Sequence, residues 1–194
     1  MAKHRKPGLP HQQRVWLLLS GGIDSTACLA YYLRQGFYVE CLHFSFGQPA
    51  QMCESIAVAQ VARHFDVPLK ILHWSGSVKL REGEIVGRNA FLFMGALMEV
   101  KSGSGIIAAG IHAGTFYYDC SPEFLSAMQT VVDGYCDGRV NLAAPFIEWS
   151  KQQVFAFFKS EGVPVDLTYS CEKGTAQPCK ECLSCWDRRN LDAL

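Results

Sequence analysis

The sequence predicts an α/β fold in which about five parallel strands form one sheet with helices on both faces. Two observations carry this expectation. Short apolar runs rich in β-branched and aromatic residues alternate with longer runs of helical spacing, which is the pattern of strand–helix–strand units. A glycine pair, Gly21 and Gly22, stands between the first strand and the first helix, where parallel α/β sheets open their ligand loops. A third feature, four closely spaced cysteines after residue 170, adds a small C-terminal metal-binding segment.

The elements follow in chain order. Val15–Leu19 is apolar and reads as the first strand, and Ser25–Gln35 as a helix stopped by Gly36. Phe37–Phe44 is aromatic and β-branched and reads as the second strand. Ala50–Phe65 places Ile56, Val58, Ala59, Ala62 and Phe65 near helical spacing, and Leu69–Trp74 is the third strand. Ser75–Arg88 is polar and glycine-containing and reads as a loop. Asn89–Val100 is a helix with a mostly apolar surface, so burial on several sides is expected. Ile106–Ile111 is the fourth strand. Pro122–Tyr135 opens on a proline at a helix start, and Val140–Ala144 is the fifth strand. Ser150–Glu161 is a helix capped by Ser150 and closed by Gly162 and Pro164. The loops at the carboxyl ends of the strands, Ser20–Thr26, Phe44–Pro49, Trp74–Asn89 and Ile111–Ser121, are placed to converge on one crevice.

The bulk composition sets the class. The chain has 194 residues, 49% of them hydrophobic, enough for one well-formed core. Its 18 basic and 18 acidic residues cancel, so net charge points to no polyanionic partner. Residues 1–14 are basic, with Pro and Gly, and read as a flexible tail. There is no signal-peptide pattern, and no apolar run reaches the ~20 residues needed to span a bilayer, so a cytoplasmic protein is expected. Residues 15–166 read as the main domain and residues 167–194 as the cysteine-containing segment.

In Leu19–Thr26, the string LSGGIDST, the glycines permit close backbone approach, and the following helix offers unpaired N–H groups and the positive end of its dipole. Ser20, Ser25 and Thr26 add hydroxyls. Together these make a phosphate site, and neither a Walker A loop nor GxGxxG is present. Of the nine cysteines, Cys28, Cys41, Cys53, Cys120 and Cys136 are scattered, whereas Cys171, Cys179, Cys182 and Cys185 are spaced C-x7-C-x2-C-x2-C. The odd count argues against a disulfide framework. Four thiolates with no open ligand position suit a structural Zn²⁺, with an iron–sulfur cluster as the main rival and a redox pair as a third reading.

SGGIDST resembles the loop of the PP-loop ATP pyrophosphatases, which cleave ATP between its α and β phosphates. With the cysteine segment, the chain resembles the QueC/ExsB family of 7-cyano-7-deazaguanine synthases from about Val15 to Arg189. Further matching stretches are Ser45–Gln48 (SFGQ), Val86–Leu92 (VGRNAFL), Tyr118–Phe124 (YDCSPEF) and the terminal TYSCEKGTAQPCKECLSCWDR. The resemblance implies the adenine-nucleotide α-hydrolase-like fold and an ATP-dependent C–N ligase in queuosine biosynthesis. Such an enzyme adenylates 7-carboxy-7-deazaguanine and converts it with ammonia to 7-cyano-7-deazaguanine. It implies ATP, Mg²⁺ and structural Zn²⁺ as cofactors and a homodimer.

Carried onto this chain, the resemblance assigns ATP's phosphates to Leu19, Ser20, Gly21, Gly22, Ile23, Asp24, Ser25 and Thr26. Asp24 braces that loop or helps hold Mg²⁺. Arg88 and Asn89, with Gly110, contact nucleotide or developing charge, and Lys151 counters a phosphate. Phe46, Gln48, His112, Asp119 and Glu123 form the deazaguanine pocket, and Cys171, Cys179, Cys182 and Cys185 bind the metal. The chain departs from the family in places: His112 stands where the family has Asn, Tyr118 replaces Pro, Ser121 replaces Arg, and Glu172 replaces a Tyr. The 111–121 segment also looks two residues short. A second reading therefore keeps adenylation but transfers the activated group to a protein or nucleic-acid amine. A third is an inactive nucleotide-binding module. A tRNA-thiolating enzyme is a weaker alternative, since it calls for a basic surface and an accessible catalytic cysteine.

Overall fold

The computed structural model describes residues 13–75, 85–100 and 103–191. The basic tail before Gln13 and most of the expected Ser75–Arg88 loop lie outside these residues. Five strands, β1 (Arg14–Leu18), β2 (Tyr38–Ser45), β3 (Leu69–His73), β4 (Gly105–Ala109) and β5 (Val140–Ala143), form one sheet in the order β3-β2-β1-β4-β5. Every pairing is parallel; Val15 is level with Val39 on one side and Ile106 on the other. The helices are α1 (Ile23–Arg34), α2 (Gln51–His64), α3 (Arg88–Glu99), α4 (Pro122–Cys136), α5 (Lys151–Ser160) and α6 (Leu183–Asn190).

The central strand shows why the sheet needs two covers. Alternate residues of an extended strand point to opposite faces. Val15 and Leu17 on one face, followed by Leu19, join a core with Ala27, Val58, Val154 and Phe158 from α1, α2 and α5. Trp16 and Leu18 on the other join Phe93, Phe124 and Val132 from α3 and α4. Strand order reverses at β1, whose neighbours are β2 and β4. The chain leaving β1 and the chain leaving β4 therefore lead to helices on opposite faces, the switch point at which such sheets bind ligands.

Two helix starts follow from their capping residues. Ser121 Oγ accepts the Phe124 N–H at 3.1 Å, with Pro122 opening α4. Ser150 Oγ accepts the Gln153 N–H at 3.2 Å while Gln153 Oε1 accepts the Ser150 N–H at 2.7 Å, a complete capping box. Three expectations are corrected. α1 begins at Ile23, ahead of Ser25, because the extended Gly22 serves as its N-cap. Helix α3 is buried along one stripe, Asn89, Phe93 and Ala96, and Met98 is 87% exposed; its apolar outer residues do not mark burial on several sides. α6 was not foreseen, because its eight residues, LSCWDRRN, are too polar and short for a periodic signal.

Candidate active site

The Ser20–Thr26 loop, the candidate phosphate site, is held by its own hydroxyls. Ser25 Oγ and Thr26 Oγ1 both donate to Gly22 O, at 3.2 and 2.8 Å. Ser20 N–H donates to Ser25 Oγ at 3.2 Å, and the two hydroxyls meet at 3.1 Å. Thr26 is fully buried, so its hydroxyl braces the loop and does not face a ligand. Leu19 and Ile23 lie in the core, so only their backbone can serve a ligand. Gly21 has φ of 82°, and a Cβ there would meet Ala57 Cβ at 2.9 Å; both facts require glycine. No side chain caps the start of α1, so its first N–H groups remain available to an anion.

Asp24 is the centre of a charged group spanning three elements. Its Oδ2 accepts from Lys151 Nζ at 2.5 Å and lies 3.8 Å from His112 Nε2. Its Oδ1 is buried with no hydrogen-bond partner. An unsatisfied buried acceptor costs about 1–3 kcal/mol, so this atom is suited to a donor or a hard cation. His112 Nδ1 lies 2.5 Å from Ala113 O, which assigns the hydrogen to Nδ1 and turns Nε2 toward Asp24. Lys151 is thus brought to the loop, but onto Asp24. Gly110 also reaches the loop, by packing: a Cβ there would lie 2.6 Å from Asp24 O.

The remaining predicted residues form a second group around α3. Asn89 N–H donates to Asp119 Oδ2 at 3.1 Å, and Asn89 Nδ2 to Asp119 O at 2.8 Å. Both residues are buried, so Asp119 caps α3 and Asn89 ties it to the Tyr118–Cys120 turn. Arg88 is exposed at the head of α3, its Nε 3.4 Å from Asn89 Oδ1. Gln48 is committed within its own loop: Oε1 accepts from Phe46 N–H, and Nε2 donates to Phe44 O and Glu54 Oε2. Burial pushes the Glu54 carboxyl up, against the Gln48 hydrogen bond. Phe46 packs edge-on to Phe91, which also meets the half-exposed Trp74. Glu123 is exposed on α4 and makes no hydrogen bond or ion pair among the described residues.

The four clustered cysteines converge. Their sulfurs all lie within 4.8 Å of one another. Tetrahedral Zn²⁺ with Zn–S bonds of about 2.3 Å needs sulfurs about 3.8 Å apart, so the set fits that ion. Lys180, at φ of 62°, turns the chain so that Cys182 N–H donates to Cys179 Sγ at 3.3 Å. Burial acts to raise the Cys171 thiol, but hydrogen bonds from Thr175 and the backbone of Cys179 and Lys173 prevail and bring it to about 5. Glu172 caps α6, its Oε1 accepting from Ser184 N and Oγ at 3.1 and 2.7 Å. That gives this departure from the family pattern a structural role. By contrast, burial raises Cys28 and Cys120, and lifts Cys41 to about 12, so these are no ready thiolates.

Sequence reasoning missed two groups. His43 is buried beneath the loop, its Nδ1 3.0 Å from Leu19 O and its Nε2 without a partner. The strap Thr168–Cys171 lies against the loop, with Tyr169 N–H donating to Gly21 O at 2.8 Å. Neither carries a local signal, because each depends on a partner distant in sequence.

Comparison with known proteins decides the family. The model of the queuosine biosynthesis protein QueC matches residues 14–83 and 77–191. The chain belongs to the QueC family. The 7-cyano-7-deazaguanine synthase of Synechococcus sp. (strain CC9605) is 32% identical over 203 residues, covering 90% of both chains. That of Archaeoglobus fulgidus is 31% identical over 89% of this chain and 82% of its own. Among solved structures, NMN synthetase from Francisella tularensis superposes with a TM-score of 0.57 at 14% identity, over 89% of this chain and 72% of that one, and shares the fold. Membership in QueC brings queuosine biosynthesis, ligase chemistry and nucleotide binding. Among the described residues no helix is long and apolar enough to cross a membrane.

Proposed function

We propose that this QueC-family chain is a 7-cyano-7-deazaguanine synthase, an ATP-dependent C–N ligase acting on 7-carboxy-7-deazaguanine and ammonia. The observation that carries the reading is the intact SGGIDS loop on the bare N-terminus of α1, with Asp24 held by Lys151. A carboxylate is a poor electrophile. Its oxygen attacks the α-phosphorus of ATP, pyrophosphate leaves, and an acyl-adenylate forms. Ammonia displaces AMP to give the amide. The amide oxygen then attacks a second ATP, and loss of AMP and of the nitrogen's protons leaves the nitrile.

The residues divide this work. The N–H groups at the start of α1 and the Ser20–Thr26 loop hold the leaving pyrophosphate. Lys151, a quarter exposed beside Asp24, and Arg88, exposed at the head of α3, supply cations for phosphate charge. Asp24 Oδ1 is the ligand we assign to Mg²⁺, which when bound neutralises charge on ATP's phosphates. His112 Nε2, beside Asp24, accepts protons from the attacking nitrogen. Phe46, Asp119 and Glu123 shape the deazaguanine pocket, Gln48 holds its wall, and Gly110 lets the end of β4 close on the nucleotide loop. Residues 15–166 form the catalytic unit, and residues 167–194 a Zn²⁺-bound brace. The homodimer and cytoplasmic location implied by the family belong to the same proposal.

The test is mass spectrometry of a reaction containing zinc-loaded protein, ATP, Mg²⁺, ammonium and 7-carboxy-7-deazaguanine, with AMP followed in parallel. The nitrile with about two AMP per product is expected, one adenylation for each dehydrating step. AMP with a stalled adenylate or amide would instead favour transfer to another amine, a protein's included. The altered 111–121 segment, with His112 at Asp24 and Phe116 fully exposed, motivates that second reading. No AMP at all would refute adenylation.

A further inference from the structure

We infer that Ser170, on the cysteine-bearing segment, is a phosphate-binding residue whose hydroxyl completes the grip on the pyrophosphate end of ATP. The inference rests on the adenylation reading above and adds a residue to the same site.

The hydroxyls of the loop itself are already spent. Ser25 and Thr26 both give their hydrogens to Gly22 O. The Ser20–Ser25 contact therefore has Ser20 as its donor. Each hydroxyl carries one hydrogen, so none of the three has one left for a phosphate oxygen without breaking a bond of the loop. Besides the backbone N–H groups of α1 on one side and the cations proposed above, a tightly held pyrophosphate calls for a hydroxyl donor on the other side.

The strap Thr168–Cys171 supplies the other. Tyr169 N–H donates to Gly21 O at 2.8 Å, which fixes the strap to the loop and ties that carbonyl down. At Gly22 a Cβ would lie 3.6 Å from Ser20 Oγ, 3.6 Å from Tyr169 O and 3.7 Å from Ser170 Oγ, so Ser20 and Ser170 flank the same glycine. Ser170 is half-buried, and its hydroxyl makes no hydrogen bond among the described residues. Behind it, Gly174 fits against Pro49 so closely that a Cβ would meet Pro49 O at 2.1 Å, and Cys53 Sγ lies 3.5 Å from Gly174 O. The strap is therefore anchored on both sides of Ser170, by the loop and by the start of α2, and the neighbouring Cys171 belongs to the metal set.

The experiment is calorimetric titration of inorganic pyrophosphate, with Mg²⁺, into the zinc-loaded full chain and three variants. Ser170→Ala and Ser170→Val, which lack the hydroxyl, are expected to bind roughly tenfold more weakly, the loss of one hydrogen bond to a charged group. Ser170→Thr, matching Val in shape, is expected to bind within about twofold of the unaltered chain. Zinc per chain, measured on the same samples, stays unchanged in all three. Equal binding by the Thr and Val variants overturns the inference, as does loss of zinc in step with loss of pyrophosphate. If the unaltered chain binds no pyrophosphate, both this inference and the adenylation reading fall. If it binds and all variants match it, only the role of Ser170 falls.

Discussion

Substituting alanine for Gly110 tests whether the sheet positions the Ser20–Thr26 loop. The added methyl would lie 2.6 Å from Asp24 O, 2.7 Å from its carbonyl carbon and 2.8 Å from Ser25 N. Ordinary contact begins near 3.4 Å, so strand end and helix start must part by about 0.8 Å. None of the three atoms is the tip of a flexible side chain; all belong to the first turn of α1, which carries the loop. Overpacking of this kind costs about 1–3 kcal/mol. At a middle value of about 2 kcal/mol, a chain of this size loses about 4–8 °C in melting midpoint. The retreat also moves Asp24 relative to Lys151, now 2.5 Å away, and a shift near 1 Å in reacting geometry lowers rates by about 100-fold. The assays are a thermal melt and AMP production, with zinc content as a control. A Gly110→Ala chain that melts and turns over like the original would refute the claim that β4 and α1 meet backbone to backbone.

Other perturbations probe separate parts. Lys151→Ala and Asp24→Asn, alone and together, form a double-mutant cycle; coupling of about 1 kcal/mol is expected in urea unfolding, because both side chains are about a quarter exposed. Additive effects would show that the contact does not act as a pair. Burial lowers the pKa of His43, opposed by its hydrogen bond to Leu19 and aided by His73. Its neutral form is therefore favoured on folding, and its contribution is full above the unfolded value of about 6.5 and is lost as pH falls toward the folded one, with a slope of up to about 1.4 kcal/mol per pH unit. Glu54, raised by burial, acts in the opposite sense from about pH 4.5 upward. The His43 share is thus read as the difference between the original and a His43→Gln chain, and parallel stability–pH curves would contradict it. Elemental analysis should find about one zinc per chain, and Cys182→Ser should lower zinc content and melting midpoint together. Iron with visible absorption would replace zinc by a cluster.

Much of the fold was legible because it is written in local patterns. The uninterrupted apolar run Val15–Leu19 foretold a buried strand, and Ser150 foretold where a helix begins. The cysteine spacing foretold the convergence of the four sulfurs because those residues are close in sequence. What local pattern could not tell was which side chains are consumed by their neighbours. Gln48 and Asp119, which the family resemblance sets at the substrate, also hold the frame around it, one bracing its turn and the other capping α3. Lys151 and Asp24 are 127 positions apart, so their pairing emerges only when α5 packs against α1. The apolar surface of α3 misled for the opposite reason: composition reports hydrophobicity, and neighbouring elements decide how much of it is covered.

The hydrogen bond from Tyr169 to Gly21 joins positions about 150 residues apart. A ribosome synthesising at about 5–20 residues per second makes Gly21 roughly 7–30 s before Tyr169. The loop proposed to receive ATP is thus made well before the residue that finishes its support. That support comes with the segment that carries the four converging cysteines. With the proposed Zn²⁺ brace, setting of the loop waits on metal as well as on elongation, and a chain stopped before Cys179 would carry an intact SGGIDST string without the scaffold that sets it.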